Sequence, residues 1–364
     1  MSARPLVLLT QPYVAAYRVP LFEELRERLA TNGVDFVVAA GVPDGDQALR
    51  DDARVLPWQA DLSVKSIRIG NRRISVRKVH VARRPQVVVT ELEALNLYGW
   101  LATTTASRVI LWGHGKSYVN DPSPVGERLE WALARRAQHV MTYAPGGRNY
   151  LIERAALDPS RVTAVGNSTD SEALRRAFVS VPLHRVDSLR NSIAADRVAL
   201  YVGGLDESKR IRFLIEAAER AHEADPGFRL IVVGKGVLAD EVVAASKRTR
   251  AIVHIPEARG DDLAELARLA LAMWIPGRVG LVAIDSLAVG LPIFTTDFAY
   301  HAPEVEFLQT HELRYLPNDP RLFAAEALQA LRTVGAGQRH LRDDIPTISS
   351  VAGAMAGIVE KVLG

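Results

Sequence analysis

Pro276-Gly-Arg-Val-Gly-Leu-Val-Ala-Ile-Asp-Ser-Leu-Ala-Val-Gly-Leu-Pro292 is the stretch of sequence that decides the fold. It follows a short apolar segment, Ala270-Leu-Ala-Met-Trp-Ile275, which predicts a buried strand. Apolar residues then recur at helical spacing from about Gly280, and Gly290 predicts the end of that helix. The stretch therefore predicts a strand, a glycine turn, a helix and a second strand, in that order.

The same stretch predicts an anion site. A helix that begins directly after a glycine-rich turn points its free backbone N–H groups at whatever lies above the sheet. Gly277 and Gly280 allow the backbone to approach a ligand closely, and Asp285 adds a carboxylate acceptor one turn into the helix. The residues expected to bind the ligand here are Gly277, Val279, Gly280, Leu281, Val282 and Asp285.

Two series of short apolar strands alternate with helical segments, which is typical of parallel, doubly wound α/β sheets. The first series is Leu6–Thr10, Val34–Ala39, Val87–Thr90, Val109–Trp112 and His139–Thr142; the second is Val198–Gly203, Leu230–Val233, Ile252–Ile255, Leu271–Ile275 and Ile293–Thr296. Polar, turn-prone residues from Phe178 to Asp196 predict a linker between two domains. We expect one domain over residues 1–180, a second over 181–345 and a final helical segment over 346–364.

Length and composition agree with two domains of ordinary size. The chain has 364 residues, too many for one ordinary core, and 48% of them are apolar against 24% charged, as in soluble globular proteins. No apolar run approaches the ~18 residues that span a bilayer, and the N-terminal apolar stretch is too short for a signal peptide. The absence of cysteine excludes disulfides, thiolate catalysis and cysteine-bound metal, and favours a cytoplasmic protein.

The Pro276–Pro292 stretch resembles the donor-binding segment of retaining family-4 glycosyltransferases. Gly280-Leu281 matches the family's Gly-Leu, Asp285 falls at its second glutamate, Gly290-Leu-Pro292 matches its closing Gly-x-Pro, and Gly277 stands at its first glutamate. The resemblance implies the GT-B fold, two facing Rossmann-like domains with a C-terminal helix that crosses back to pack on the first domain. It also implies that the second domain binds a nucleotide-diphosphate sugar.

A second element, Tyr201-Val-Gly-Gly-Leu-Asp-Glu-Ser-Lys-Arg210, is similar to the family's Gly-Arg-Leu-x-x-x-Lys-Gly motif. Lys209 matches the lysine that meets the donor diphosphate, and Gly204, beside Gly203, stands at the arginine. Arg210 or Arg212 could take the place of that arginine. A lysine at the mouth of a strand–helix turn can neutralise phosphate oxygens, and the alternative is a solvated helix end that happens to carry a lysine. The presence of the Gly280 helix as a second candidate favours the phosphate interpretation.

The first domain is expected to supply the acceptor side. The loop Gln11-Pro-Tyr-Val-Ala-Ala-Tyr-Arg18 lies where family members face the cleft, so Tyr13, Tyr17 and Arg18 are acceptor-side candidates. His114, between two glycines at a strand end, matches a family histidine near the donor sugar. The resemblance thus implies His114 and Lys209 as the catalytic residues, while an isolated histidine is more often structural.

The segment from Lys65 to Arg84 carries eight basic residues and no acid. Its valines suggest a helix with a basic face, which could contact an anionic membrane or an acceptor's pyrophosphate, or be an ordinary solvated surface. Nucleic-acid binding is disfavoured, because no aromatic residues interleave with these charges. The sequence has no Asp-x-Asp and no His-x-x-x-His, so we predict no metal and no cofactor beyond the donor substrate.

The function implied by the resemblance is metal-independent transfer of a hexosyl or deoxyhexosyl group from a nucleotide-diphosphate sugar to a hydroxyl acceptor, with retention. The acceptor could be a glycan, a lipid-linked sugar or a small molecule, and the protein would act in the cytoplasm, at the membrane surface if the basic segment binds lipid. The alternative is a catalytically silent GT-B scaffold that binds a sugar nucleotide or a protein partner, suggested by Gly204 and Gly277. A membrane-binding module would depend on the basic segment alone.

Overall fold

The computed structural model describes residues 4–43, 48, 52–69, 72–105, 108–119, 121, 123–333 and 339–364, without the side chains of 66–69, 72–75 and 333. The chain forms two compact units. Unit 1 is Met1–Thr169 with Pro346–Gly364, and unit 2 is Asp170–Ile345.

Unit 1 is built on a sheet whose described strands lie in the order β10-β9-β8-β7-β1-β3-β5-β6. Its strands are β1 (Leu6–Gln11), β3 (Asp35–Ala40), β5 (Ala60–Ile69), β6 (Arg72–Val79), β7 (Val87–Glu91), β8 (Arg108–Gly113), β9 (His139–Thr142) and β10 (Val162–Ala164). Neighbours pair in parallel except β5 and β6, which form an antiparallel hairpin. A separate short ladder joins β2 (Val14–Ala15) to β4 (Ala53–Arg54).

Helices cover both faces of this sheet, because its central strands are apolar on both sides. They are α1 (Val19–Thr31), α2 (Leu97–Thr105), α3 (Pro124–Arg136), α4 (Pro145–Ala155) and α12 (Ile348–Leu363). Helices α1 and α12 share one core with Val87 and Val89, whereas Val88 points into the core on the opposite face. The C-terminal helix α12 starts with a capping box between Thr347 and Ser350, and it is an integral part of unit 1.

Unit 2 contains a parallel sheet whose described strands lie in the order β13-β12-β11-β14-β15-β16. Its strands are β11 (Arg197–Val202), β12 (Phe228–Val233), β13 (Ile252–Ile255), β14 (Ala272–Trp274), β15 (Ile293–Thr295) and β16 (Leu313–Tyr315). Its helices are α5 (Ser171–Ser180), α6 (Leu183–Ser192), α7 (Ile211–Ala224), α8 (Ala239–Arg248), α9 (Gly260–Leu269), α10 (Val282–Val289) and α11 (Pro320–Thr333). Trp274 anchors the core and stacks on Phe228 with ring centroids 4.8 Å apart.

The two sheets, parallel apart from the β5–β6 hairpin, confirm the expected α/β class with two Rossmann-like halves. The expected linker over Phe178–Asp196 is wrong, and so is a domain boundary at 180–181. The chain passes between the units at 169–170 and again at 345–346. Residues 171–180 and 183–192 form α5 and α6 of unit 2, which bury only a few apolar side chains, among them Leu174, Phe178 and Val186.

The helix with a basic face expected between Lys65 and Arg84 is also wrong. That segment runs through the β5–β6 hairpin and the loop after it. Arg77 is buried and forms an ion pair with Glu91 at 2.5 Å, and Arg83 pairs with Asp35. The side chains of Arg68, Arg72 and Arg73 lie outside the described residues.

Candidate functional site

In unit 2, the turn between β14 and α10 packs directly on the turn that precedes α7. A Cβ built on Gly277 would lie 2.5 Å from the carbonyl carbon of Lys209 and 2.7 Å from its Cα. The Arg278 N–H donates to the Ser208 carbonyl at 2.9 Å. No side chain fits at position 277, because a Cβ cannot approach backbone atoms so closely. Gly277 was expected to let a ligand approach, but the backbone that approaches it is that of residues 208–209.

The Lys209 side chain spans the same contact. Its Nζ donates to the Arg278 carbonyl oxygen at 2.5 Å. The same atom lies 3.9 Å from the point that a Cβ on Gly280 would occupy. Lys209 therefore places a positive charge beside the N-terminal end of α10.

The first turn of α10 offers backbone N–H groups beside that charge. Those of Gly280, Leu281 and Val282 meet no acceptor within the part of the chain that the structure describes. The next two N–H groups along the chain donate back to the carbonyls of Gly280 and Leu281 at 2.9 Å. The N-terminus of a helix carries a partial positive charge, so these groups and Lys209 together form a corner suited to a phosphate or another anion.

Val279 lies in the core beside this corner, so its side chain cannot contact a ligand. It is fully buried, its carbonyl accepts from the Ala302 N–H at 2.8 Å, and its own N–H donates to His301 Nδ1 at 3.1 Å. His301 Nε2 lies 3.3 Å from the Thr296 carbonyl oxygen. Because Nδ1 accepts a hydrogen bond, His301 is neutral here with its proton on Nε2.

Burial lowers the pKa of His301 below its ordinary 6.5, and the positive charges of Lys209 and Arg278 lower it further. His301 is not among the residues predicted from the sequence. No local signal marks it, because His301 lies beyond the end of β15 at Thr295 without flanking glycines, whereas His114 directly follows β8 between two glycines.

Two carboxylates accompany this corner. Asp285 lies in the first turn of α10 and is partly exposed. Glu304, also missed from the sequence, lies in the short 3-10 helix Pro303–Phe307 and is only 4% exposed. Acids are rarely buried to that extent unless a partner or a function holds them there.

The glycines after β11 serve two different purposes. Gly203 receives the close packing of Gly234, whose Cβ would collide with the Gly203 carbonyl oxygen. Gly204 is exposed, its carbonyl accepts from the Tyr201 hydroxyl at 2.6 Å, and a Cβ there would meet only Asp206, at 3.3 Å. At Gly204 a ligand can therefore contact exposed backbone, whereas an arginine at this position would present its guanidinium.

Arg210, rather than Arg212, extends toward the corner. Arg210 takes a left-handed conformation with φ 55°, which delays the start of α7, and its Nη1 donates to Thr296 Oγ1 at 2.9 Å. The Thr296 hydroxyl in turn donates to the Pro276 carbonyl at 2.6 Å. Arg212 instead forms ion pairs with two glutamates on the surface, each at 2.7 Å.

In unit 1, Arg18 lies in a cluster of aromatic rings at the carboxyl ends of β1, β8 and β9. Its Nη2 donates to the Tyr143 hydroxyl at 3.0 Å, and its Cζ lies 4.2 Å from the centre of the Trp112 ring and 5.2 Å from that of Tyr17. Tyr13, on the loop before β2, is buried. The three acceptor-side candidates thus lie on one short loop, with Arg18 against residues from two other strands.

His114 lies in the same part of unit 1. Its ring is exposed and makes an edge contact with Tyr143, with centroids 5.0 Å apart. Gly115 has φ 79°, and a Cβ on Gly147 would collide with the His114 carbonyl oxygen. Close packing between these glycines therefore holds the loop that carries His114 against the start of α4.

The described residues contain no candidate for a three-ligand metal site or for a membrane-crossing helix. Among the residues that the structure describes, no three His, Cys, Asp or Glu side chains are arranged to hold a metal ion. No described helix combines the length and the apolar character that crossing a membrane requires.

Comparisons with known proteins agree with the geometry of unit 2. Residues 196–333 match the family model for glycosyl transferases group 1, and they contain β11 to α11 with the whole Lys209–α10 corner. The matched part is fewer than half of the chain's residues. No curated protein matches the sequence.

Solved structures similar to this chain have the GT-B fold along nearly its whole length. A glycosyltransferase from Rickettsia africae ESF-5 is 13% identical, with a TM-score of 0.68, over 100% of this chain and 99% of that one. Anabaena HepE in complex with UDP-glucose is 14% identical, with a TM-score of 0.60, over 97% and 94%. A putative UDP-N-acetylglucosamine 2-epimerase from Listeria monocytogenes is 13% identical, with a TM-score of 0.63, over 99% and 96%. At these identities the likeness establishes the fold alone.

Proposed function

We propose that this protein is a glycosyltransferase that moves a hexosyl or deoxyhexosyl group from a nucleotide-diphosphate sugar to an acceptor hydroxyl, with retention at the anomeric carbon. The observation that carries the proposal is the Lys209 ammonium beside the N–H groups of Gly280, Leu281 and Val282. The group 1 family match over residues 196–333 and the UDP-glucose bound by the structurally similar HepE support a sugar nucleotide as the ligand.

The chemistry explains why such a corner is needed. When the sugar leaves, negative charge develops on the departing diphosphate, and donors that are already in place stabilise that charge without reorganising. Lys209 and the first turn of α10 would supply those donors, and Arg210 adds a second cation that Thr296 holds in position. These groups belong to the protein, so we propose transfer without a metal ion.

Other residues would bind the rest of the donor and the acceptor. Asp285, partly exposed in the first turn of α10, would accept hydrogen bonds from the ribose hydroxyls. His114 would donate to a hydroxyl of the donor sugar, and the loop with Tyr13, Tyr17 and Arg18 would receive the acceptor. No side chain is assigned as a nucleophile, so we propose front-face transfer, and we place the activity in the cytoplasm.

The second candidate is a silent scaffold that binds a sugar nucleotide without transferring the sugar. One observation favours it. Gly277 stands where the family resemblance has a glutamate, and the backbone of Lys209 leaves no room for a side chain there. A donor contact that the family makes through that glutamate must be replaced or lost.

One experiment separates the two. The wild-type protein is first tested with a thermal-shift panel of nucleotide diphosphates and their sugars, because a ligand that binds only the native state raises the unfolding temperature. The best sugar nucleotide is then incubated with an acceptor panel, and product is detected by mass spectrometry and its anomeric configuration by NMR. Transfer with retention supports the enzyme, whereas tight binding with neither transfer nor slow hydrolysis supports the scaffold.

A further inference from the structure

Arg18 is a buried cation. It lies in the short 3-10 segment Ala16–Arg18 before α1, and the residue is 7% exposed. Its guanidinium covers the face of Trp112 and donates through Nη2 to the Tyr143 hydroxyl. An arginine side chain stays charged under all ordinary conditions, so this position holds a full positive charge in an aromatic environment.

Within the described part of the chain, no acid compensates the charge of Arg18. No carboxylate forms an ion pair with it among the residues described, and its Nη1 is buried without a hydrogen-bond partner. The neighbouring Trp112 Nε1 is likewise buried without a partner. Glu91, at the end of the adjacent strand β7, is already paired with Arg77 at 2.5 Å.

Such an arrangement is unfavourable for the protein alone. Burying a charge is costly unless an opposite charge and hydrogen bonds compensate for it. Trp112 and the Tyr143 hydroxyl give part of that compensation, through a cation–π contact and one neutral hydrogen bond. The N–H groups of Nη1 have no hydrogen-bond partner, and a guanidinium N–H is suited to an oxygen of a carboxylate or phosphate.

Residues that contact Arg18 also reach the protein surface at the carboxyl ends of the strands. The Tyr143 ring that holds Arg18 also contacts the exposed ring of His114, and Tyr17 is partly exposed beside the guanidinium. A ligand at the exposed His114 thus lies next to the residues that surround Arg18.

We propose that the ligand of unit 1 carries an anionic group, a carboxylate or a phosphate, and that Arg18 binds it. This proposal rests on the function proposed above, because only in a glycosyltransferase is this ligand the acceptor. The acceptor is then an acidic or phosphorylated sugar or a related anionic alcohol. Trp112 and Tyr143 are positioning residues for the guanidinium, and Arg18 determines specificity.

Binding measurements test this without requiring turnover. Inorganic phosphate is the simplest probe, and glucose, glucose 6-phosphate and glucuronate form a set that differs mainly in charge. Affinities are measured by calorimetry or NMR at constant ionic strength. Wild-type protein is expected to bind phosphate and to prefer at least one charged sugar to glucose, and the two charged sugars tell phosphate from carboxylate.

The variants assign the effect to Arg18. Arg18→Gln should reduce binding of the charged ligand roughly 10- to 100-fold, and Arg18→Lys should restore part of it. Tyr143→Phe keeps the ring and removes the hydroxyl that holds Nη2, so it should give a smaller loss in a folded protein. Arg26→Gln is the matched control, because Arg26 also covers a tryptophan ring, that of Trp58 at 4.7 Å, and is exposed.

Two results would overturn the proposal. One is that no anion in the set binds, or that Arg18→Gln and Tyr143→Phe bind them as the wild type does. The other is that Arg18→Gln weakens nucleotide-diphosphate binding instead, which would assign Arg18 to the donor. Anion binding that depends on Arg18 in a protein without transferase activity would leave this proposal standing and reject the proposed function.

Discussion

The Lys209 ammonium donates a hydrogen bond of 2.5 Å to the Arg278 carbonyl oxygen, and this bond joins two turns that lie 69 residues apart in the sequence. The Arg278 N–H returns a bond to the Ser208 carbonyl, and Gly277 fits against the backbone between them. The two turns that the sequence presents as separate phosphate motifs therefore form one corner, and a change in either turn should affect both.

Removal of the Lys209 ammonium should weaken the binding of nucleotide diphosphates. We expect Lys209→Ala to cost roughly 1.5–3 kcal/mol of binding free energy, the scale of a hydrogen bond to a charged group. Calorimetric titration of the nucleotide diphosphate that binds best measures this. Lys247→Ala, an exposed lysine on α8, is the control and should change nothing. An unchanged dissociation constant in a folded Lys209→Ala protein would remove Lys209 from the site.

Adding one methyl group at position 277 should disrupt the corner. We expect Gly277→Ala to lower the free energy of unfolding by about 1–3 kcal/mol and to weaken nucleotide binding, because the Cβ must displace the Lys209 backbone. Gly280→Ala is the matched control, since its Cβ would meet its nearest neighbours at 3.8 and 3.9 Å, an ordinary contact distance. Chemical denaturation of both variants measures the difference, and equal stability would contradict the packing argument.

His114 should matter for transfer and not for binding of the bare nucleotide. We expect His114→Ala to reduce the rate of transfer by ~10²-fold or more, the scale of a contact that positions a reacting group. The affinity for the nucleotide diphosphate should stay within error, because His114 is assigned to the sugar. Steady-state rates and calorimetry are compared with those of His80→Ala, an exposed histidine of the same unit. Full activity in His114→Ala would show that the donor sugar is bound elsewhere.

Acid should weaken the corner through His301. Its pKa is below the ordinary 6.5 in the folded protein, so the unfolded chain takes up this proton first and folding stability falls as the pH is lowered. Protonation also removes the acceptor of the Val279 N–H, so the affinity for the nucleotide should fall over the same pH range as the stability. The phosphates of the ligand titrate as well, so the test is the difference between wild type and His301→Gln. Parallel pH profiles for the two proteins would show that His301 is not responsible.

The elements that could be predicted from the sequence are the strands and helices with a clear pattern of apolar residues. A strand such as Val87–Glu91 is buried on both faces and begins with a continuous apolar run, Val87–Val89. The helices α5 and α6 could not be recognised, because they bury few apolar side chains and their remaining surface looks like a linker. The β5–β6 hairpin differs from the predicted helix because its basic residues conceal the alternation of a strand.

The site was predictable to the extent that it lies in local motifs. Lys209 and the start of α10 could be found from glycine turns before helices. The packing of the Lys209 backbone against Gly277 and of Arg18 against Trp112 could not be predicted, since both contacts join segments distant in the sequence. His301 and Glu304 lie in a loop without periodicity, where no local pattern marks them.

The division of unit 1 into two pieces determines when it can be completed during synthesis. Helix α12 contributes Val351, Ala352, Met355 and Val359 to the core of unit 1, yet it follows all of unit 2 in the chain. A growing chain can fold residues 170–345 as soon as they emerge, whereas the face of β7 and β8 beneath α12 stays uncovered until residues 346–364 have been made. We therefore expect the nascent protein to expose an apolar surface on unit 1 until α12 has been synthesised, and truncation before Pro346 to leave that surface open to aggregation.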